Sequence, residues 1–243
     1  MTYDDLIISA NPTHGAAIVF FSSVNVKDKT DATGAFISEA SAFRAFLEDV
    51  LNYHTVYFVP IDCVNNKPEK RKALFYKALE NIPQNSLSCI SMFCHGYASG
   101  VQFGLSKKDI PELVSKLAPI CKRHVVLPLY CCSTADNGHD EEDPQLGTDG
   151  GFADLLRDGL TASGTNLCRV VAHRTAGHTT RNPHVVFFDG DGTGTAQTGG
   201  VYPVSSGGRL WGRWRLQLEK TFRFLMPFLE IAEIHKYLDS KQG

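Results

Sequence analysis

The sequence predicts an α/β fold, a three-layer α/β/α sandwich on a six-stranded, mostly parallel sheet. Two observations carry this. Six short apolar runs recur at residues 16–21 (AAIVFF), 55–61 (TVYFVPI), 87–94 (LSCISMFC), 124–131 (HVVLPLYC), 168–173 (CRVVAH) and 184–188 (HVVFF). They are rich in β-branched residues and continuous rather than alternating, as in strands covered on both faces. Amphipathic segments of helical spacing lie between most of them, and strands alternating with helices imply parallel pairing through right-handed crossovers.

Each helix has its own signature. Phe43, Phe46, Leu47, Val50 and Leu51 fall on one helical face between the first two runs. Pro68 suits a first helical position, and Leu74, Phe75, Ala78, Leu79 and Ile82 follow as a stripe. Ser106 and Asp109 have the form of a capping box ahead of Ile110, Leu113, Val114 and Leu117. Phe152, Leu155, Leu156 and Leu160 make a fourth stripe, with Gly164 as its stop. Pro128 interrupts the fourth apolar run, where a bulge or an early strand end is expected. Residues 189–208 are Gly-rich and read as loop or hairpin. Leu218, Phe222 and Leu225, then Ile231, Ile234 and Leu238, suggest terminal helices within residues 209–239. With no repeat and no linker, residues 1–243 read as a single domain whose core spans about residues 16–188.

Composition narrows the function. Lys and Arg total 24 against 26 for Asp and Glu, a formal charge of −2 that offers no attraction to nucleic acid or an anionic membrane. No apolar run approaches the ~20 residues of a membrane span. The start reads as no secretory signal, and seven cysteines, an odd number, suit a reducing compartment, so a cytoplasmic location is expected.

In an open α/β sheet, ligands bind beyond the carboxyl ends of the strands. The third run ends in Cys94-His95-Gly96 and the fourth in Tyr130-Cys131-Cys132-Ser133-Thr134. Neighbouring parallel strands would bring an imidazole and a thiol to one edge. Cysteine attacks as the thiolate, and a histidine within reach activates it and then protonates the leaving amine. His95 is therefore the candidate general base and Cys132 the candidate nucleophile. Cys131 is the weaker choice, because its strand-like neighbours point it inward. The backbone N–H groups of Gly96 and Cys132 are candidates for an oxyanion hole, worth about 3 kcal/mol per donor.

This arrangement, an apolar strand ending in His-Gly and another ending in Cys, resembles the caspase-like cysteine peptidases. That superfamily includes caspases, metacaspases, legumains, separases and bacterial CHAT proteases. The Cys-Cys-Ser-Thr segment looks most like CHAT and metacaspase sequences, and the likeness covers roughly residues 16–188. It implies a caspase-like fold and a cysteine endopeptidase working through a thioester, with a protein or peptide substrate and no cofactor or metal. The His–Cys separation, 132 − 95 = 37 residues, is shorter than the ~50 of caspases, whose Gln-Ala-Cys signature is absent. Tyr130 stands where metacaspases and legumains resemble one another in carrying an acidic residue, so no substrate preference follows.

Tyr130, Thr134, His173 and Arg174 are the further candidates for substrate contact. His173 and Arg174 belong to a His- and Arg-rich stretch, HRTAGHTTRNPH, that leaves the sheet on the same edge. Residues 136–147, with five carboxylates in the eight residues 136–143, read as an exposed loop. Likeness to caspases implies that ordering or cutting such a loop controls activity, by a cation or by a separate regulatory protein. The calcium-loop-like start at Asp189 lacks Glu at its twelfth position, Gly200. Trp211, Arg213, Trp214 and Arg215 read as amphipathic packing. Other thiol chemistries fit less well: six residues beyond Cys131 and Cys132 stand Asn137 and Gly138 rather than the Arg of a Cys-x5-Arg phosphatase, and neither Cys-x-x-Cys nor a Gly-x-Ser-x-Gly elbow occurs. An inactive interaction domain of the same fold, or a thiol amidase or acyl transferase on the same dyad, are the alternatives.

Overall fold

The computed structural model describes residues 15–23, 36–49, 53–138, 149–165, 167–175, 185–190 and 196–202. All six apolar runs form strands of one sheet: β1 (Ala16–Ser22), β2 (Thr55–Ile61), β3 (Leu87–Phe93), β7 (Cys121–Tyr130), β8 (Arg169–His173) and β9 (Val185–Gly190). β10 (Ala196–Tyr202) adds a seventh, giving the order β10-β9-β8-β7-β3-β1-β2. β2, β1, β3, β7 and β8 are mutually parallel, while β9 runs antiparallel to β8 and β10 antiparallel to β9. Residues 196–202 of the Gly-rich segment thus form a strand paired with β9.

The helices α1 (Phe36–Asp49), α2 (Pro68–Leu79), α3 (Ile110–Leu117) and α4 (Phe152–Ala162) cover both faces. Strand alternation explains the division. Ala17, Val19 and Phe21 of β1 pack with Phe36, Ala40, Phe43 and Leu47 of α1. Ile18 and Phe20 face the other way, toward Phe75 and Leu79 of α2, Leu113 and Leu117 of α3, and Phe152 and Leu156 of α4. Chirality requires this segregation. The β1-to-β2 crossover moves one way along the sheet and the later parallel crossovers the other, so right-handed connections put their helices on opposite faces.

Two details depart from the sequence reading. In α2 the inward residues are Phe75, Tyr76 and Leu79, whereas Leu74 is exposed. Pro128 does not end or bulge its strand: β7 runs through it, with Pro128 opposite Val171. Successive residues of a parallel strand bond alternately to the two neighbours, so a missing N–H forfeits one bond and leaves the flanking pairs intact. The register irregularity lies earlier, between Leu87 and Cys89 of β3. Gly164 ends α4 with φ of 92°, the left-handed stop expected of it. Val50, Leu51, residues 139–148, 176–184 and 203–243 lie outside the described residues, and with them the acidic loop beyond Gly138 and the terminal helices.

After His95 the chain forms a small antiparallel sheet that the sequence reading did not anticipate: β4 (Gly96–Tyr97), β5 (Gly100–Val101) and β6 (Leu105–Ser106). Phe103, in the β5–β6 turn, is fully buried and packs against Phe20 and Phe75, with ring centroids 6.3 and 6.1 Å away. Gly104, with φ of 81°, lies against the start of α2, where a Cβ would fall 2.1 Å from the Pro68 carbonyl oxygen. The core thereby anchors the small sheet.

A capping box precedes α3, entered through a short 3₁₀ turn (Lys107–Asp109). One Asp109 carboxylate oxygen accepts the Ser106 backbone N–H at 2.8 Å, and the other accepts Lys72 Nζ at 2.7 Å. Partial burial pushes the Asp109 carboxyl up, but the bonds from Lys72 and Ser106 outweigh it and hold the group below its ordinary value. A depressed carboxyl stabilises the fold above its unfolded pKa, and that contribution fades as pH falls through the folded value. Asp109→Asn should therefore cost about 1 kcal/mol at pH 7. Urea unfolding of both proteins should show the gap closing below about pH 4.

Candidate active site

The chain runs from β1 to β2 on one side and then returns past β1 to β3, so the sheet reverses direction between β1 and β3. Such a reversal opens a crevice at the carboxyl ends, the usual ligand position in open α/β sheets. His95 leaves β3 at this place. Its ring, half-buried, meets Phe36 at the start of α1 edge-on, with centroids 5.0 Å apart. Its main chain is clasped by Gln102: the His95 N–H donates to Gln102 Oε1 at 3.3 Å, and the Gln102 N–H donates to the His95 carbonyl at 2.9 Å. Gln102 and Phe36 carry no motif, and the sequence reading passed over both.

β7 is the next strand. Its pairing with β3 sets Phe93 beside Tyr130, so the two segments that follow emerge side by side. Below them the Cys94 and Cys131 sulfurs stand 3.6 Å apart, both fully buried. Above them the backbones touch: a Cβ built on Gly96 would lie 2.3 Å from the Cys132 carbonyl oxygen and 2.7 Å from Cys131 Cβ. Glycine at 96 is what lets the histidine-bearing and cysteine-bearing segments meet at main-chain distance.

Cys132 itself opens a tight turn. Ser133 adopts φ of 54°, unusual for a residue with a side chain. Neighbouring segments hold the turn: Ser133 N–H donates to the Thr175 carbonyl at 3.1 Å, Ala135 N–H to the His173 carbonyl at 2.9 Å, and Ala153 N–H to the Thr134 carbonyl at 3.0 Å. From the 3₁₀ turn ahead of α3, Lys107 Nζ donates to the Asn137 carbonyl at 2.8 Å. The end of β8, the start of α4 and the 3₁₀ turn thus all grip the residues after Cys132.

Of the seven cysteines only Cys132 is not buried. Burial pushes the thiols of Cys63 and Cys168 up to about 11 and that of Cys89 up to about 12, and it also raises Cys94 and Cys121. Such thiols are un-ionised and shielded at neutral pH, and so inert.

The four candidates for substrate contact divide. Arg174 is partly exposed at the end of β8. Tyr130, expected at the pocket, is buried instead, stacked on Phe93 with centroids 4.2 Å apart and flanked by Phe43. Thr134 is fully buried, and its hydroxyl donates to the Cys131 carbonyl at 3.0 Å. His173 is also buried and meets the turn through its main chain. Tyr130, Thr134 and His173 shape the floor of the site, and their side chains present almost no surface to a peptide. Strand alternation put Tyr130 on the α1 face, where an aromatic ring gains more from packing than from water.

Among the described residues no His, Cys, Asp or Glu cluster is arranged to hold a metal ion, and no helix is long and apolar enough to cross a membrane. No protein-family model matches the chain, and no curated protein or solved structure shows significant similarity to it.

Two outcomes follow. Iodoacetamide at pH 7.5 should modify one thiol per native chain, at Cys132, and all seven after unfolding, as counted by mass spectrometry. Gly96→Ala forces a methyl into the Cys131–Cys132 backbone and should lower stability by about 1–3 kcal/mol in urea melts. The same substitution should slow Cys132 modification.

Proposed function

We propose that this chain is a cysteine endopeptidase of caspase-like type, with Cys132 as nucleophile and His95 as general base and acid. The observation that carries the reading is the backbone contact of the His95–Gly96 segment with Cys131–Cys132, at the carboxyl edge, around the single cysteine with an exposed surface. The sheet order, with five parallel strands and the site beside the point of reversal, supports the same reading.

In this mechanism His95 accepts the proton of the Cys132 thiol as sulfur attacks the carbonyl carbon of the scissile peptide bond. The carbonyl oxygen becomes an oxyanion, for which the N–H groups of Gly96 and Cys132 are the candidate donors. Collapse breaks the C–N bond, and His95 returns the proton to the departing amine. The acyl group remains as a thioester on Cys132. Water, deprotonated by His95, then attacks that thioester and releases the carboxylic acid and the thiol. Besides substrate and water, the cycle uses only His95, Cys132 and the two backbone N–H groups.

A randomised peptide library offered to wild type, Cys132→Ala and His95→Ala tests the proposal. Wild type should cleave internal peptide bonds, and each variant should lose at least about a thousandfold in rate. Stopped early, the wild-type reaction should carry a covalent acyl mass on the Cys132 peptide. A thioester without peptide cleavage would instead favour an amidase or acyl transferase on the same dyad. No turnover and no adduct, with Cys132 reacting no faster than the buried thiols, would leave an inactive interaction domain.

A further inference from the structure

A cleft of about 660 Å³ opens between the start of α2 and the small sheet, lined by Val64, Pro68, Arg71, Tyr97, Ser99 and Gln102 among others. That volume is within the ~300–1,000 Å³ usual for ligand sites. Only three large hydrophobic side chains are exposed among the described residues, and two of them, Val64 at 39% and Tyr97 at 55%, line this cleft. Val64 precedes α2 and Tyr97 lies in the small sheet, so an aromatic and a branched aliphatic side chain are both exposed in one cleft.

Arg71 gives the cleft its sign. Its Nε donates to the Asn66 carbonyl at 2.6 Å and its Nη1 to the Gln102 carbonyl at 3.0 Å. These bonds tie Arg71 to the loop before α2 and to the β5–β6 turn, and they use two of the five guanidinium donors. Among the described residues no carboxylate forms an ion pair with Arg71. Asp62 is near enough for the Arg71 charge to help hold its carboxyl below the ordinary value, but the hydrogen bonds of the nearby acids go to other groups. Asp62 accepts the backbone N–H groups of Val64 and Asn65 and the Asn65 amide, and Asp109 holds Lys72 and Ser106. The stretch around Arg71, Lys-Pro-Glu-Lys-Arg-Lys at residues 67–72, has four cations and one carboxylate.

We propose that this cleft docks an acidic peptide segment of another protein, with its carboxylate on Arg71 and an adjacent apolar side chain against Tyr97 and Val64. A guanidinium presents its donors as a planar fork that matches a carboxylate, and arginine with tyrosine is the pairing most often found at binding hot spots. The site stands apart from the His95–Cys132 pair but contains Gln102, which bonds the His95 main chain, so a bound segment lies along the small sheet that follows His95.

The test uses the full chain carrying Cys132→Ala, so that binding is read without turnover and does not depend on the peptidase proposal. Dye-labelled peptides containing Ile-Glu-Ile, Ile-Gln-Ile or Ile-Lys-Ile are titrated by fluorescence anisotropy. The Glu peptide should bind at least about tenfold tighter than the Gln peptide, with the Lys peptide weakest. Arg71→Gln should remove the preference for Glu. Tyr97→Ser, at an exposed side chain, should weaken all three peptides severalfold and leave the thermal melt in place. If Arg71→Gln fails to fold, Tyr97→Ser and Val64→Ser decide the matter. Equal affinity for the Glu and Gln peptides overturns the proposal, as does binding unaffected by Tyr97→Ser. Displacement of the Glu peptide by equimolar inorganic phosphate would reduce the cleft to an anion site. Self-association abolished by Tyr97→Ser would assign it to a second copy of the chain, and either result also overturns the proposal.

Discussion

The parallel pairing of β3 with β7 governs the arrangement of everything above it. Phe93 and Tyr130 are partners in register, and their rings stack on the α1 face of the sheet. One residue further along, Cys94 and Cys131 are partners on the opposite face. The chain is thus pinned from both sides of the sheet just before it releases His95 and Cys132. A slip of one residue in either strand would exchange its buried face for its other face, burying Cys132 and expelling Cys131. The hydrophobic demands of two cores therefore select the register that exposes a single thiol.

The large sheet was legible because its strands are covered on both faces and so are spelled as continuous apolar runs. The helices were legible through their stripes and punctuation, most plainly at α3, where the Ser106–Asp109 box and all four stripe residues take their expected places. Placing His95 and Cys132 on one edge required only strand ends and crossover handedness. Pro128 misled because the rule against proline in a central strand is statistical, and one missing bond is tolerable where the flanking residues are buried and paired.

The small sheet left almost no trace. Strands of two residues are too short for any periodicity, and their pairing is imposed by Phe103 docking in the core rather than by their own sequence. The partners of His95 were invisible for a related reason. Phe36 and Gln102 lie far from it along the chain or across a tight hairpin, and neither residue type signals chemistry by itself. The burial of Tyr130 and Thr134 was not legible, because proximity to Cys132 in sequence says nothing about which way a side chain turns at a strand end.

The contact between Gly96 and the Cys131–Cys132 peptide is made by main-chain atoms and by the Cβ every residue but glycine possesses. Evolutionary drift at 95 or 132 would change the functional groups displayed without moving the scaffold that displays them. Replacing the imidazole or the thiol would leave the twin strand ends, the tight turn and the cleft beside them in place. The scaffold is indifferent to which side chains it displays there.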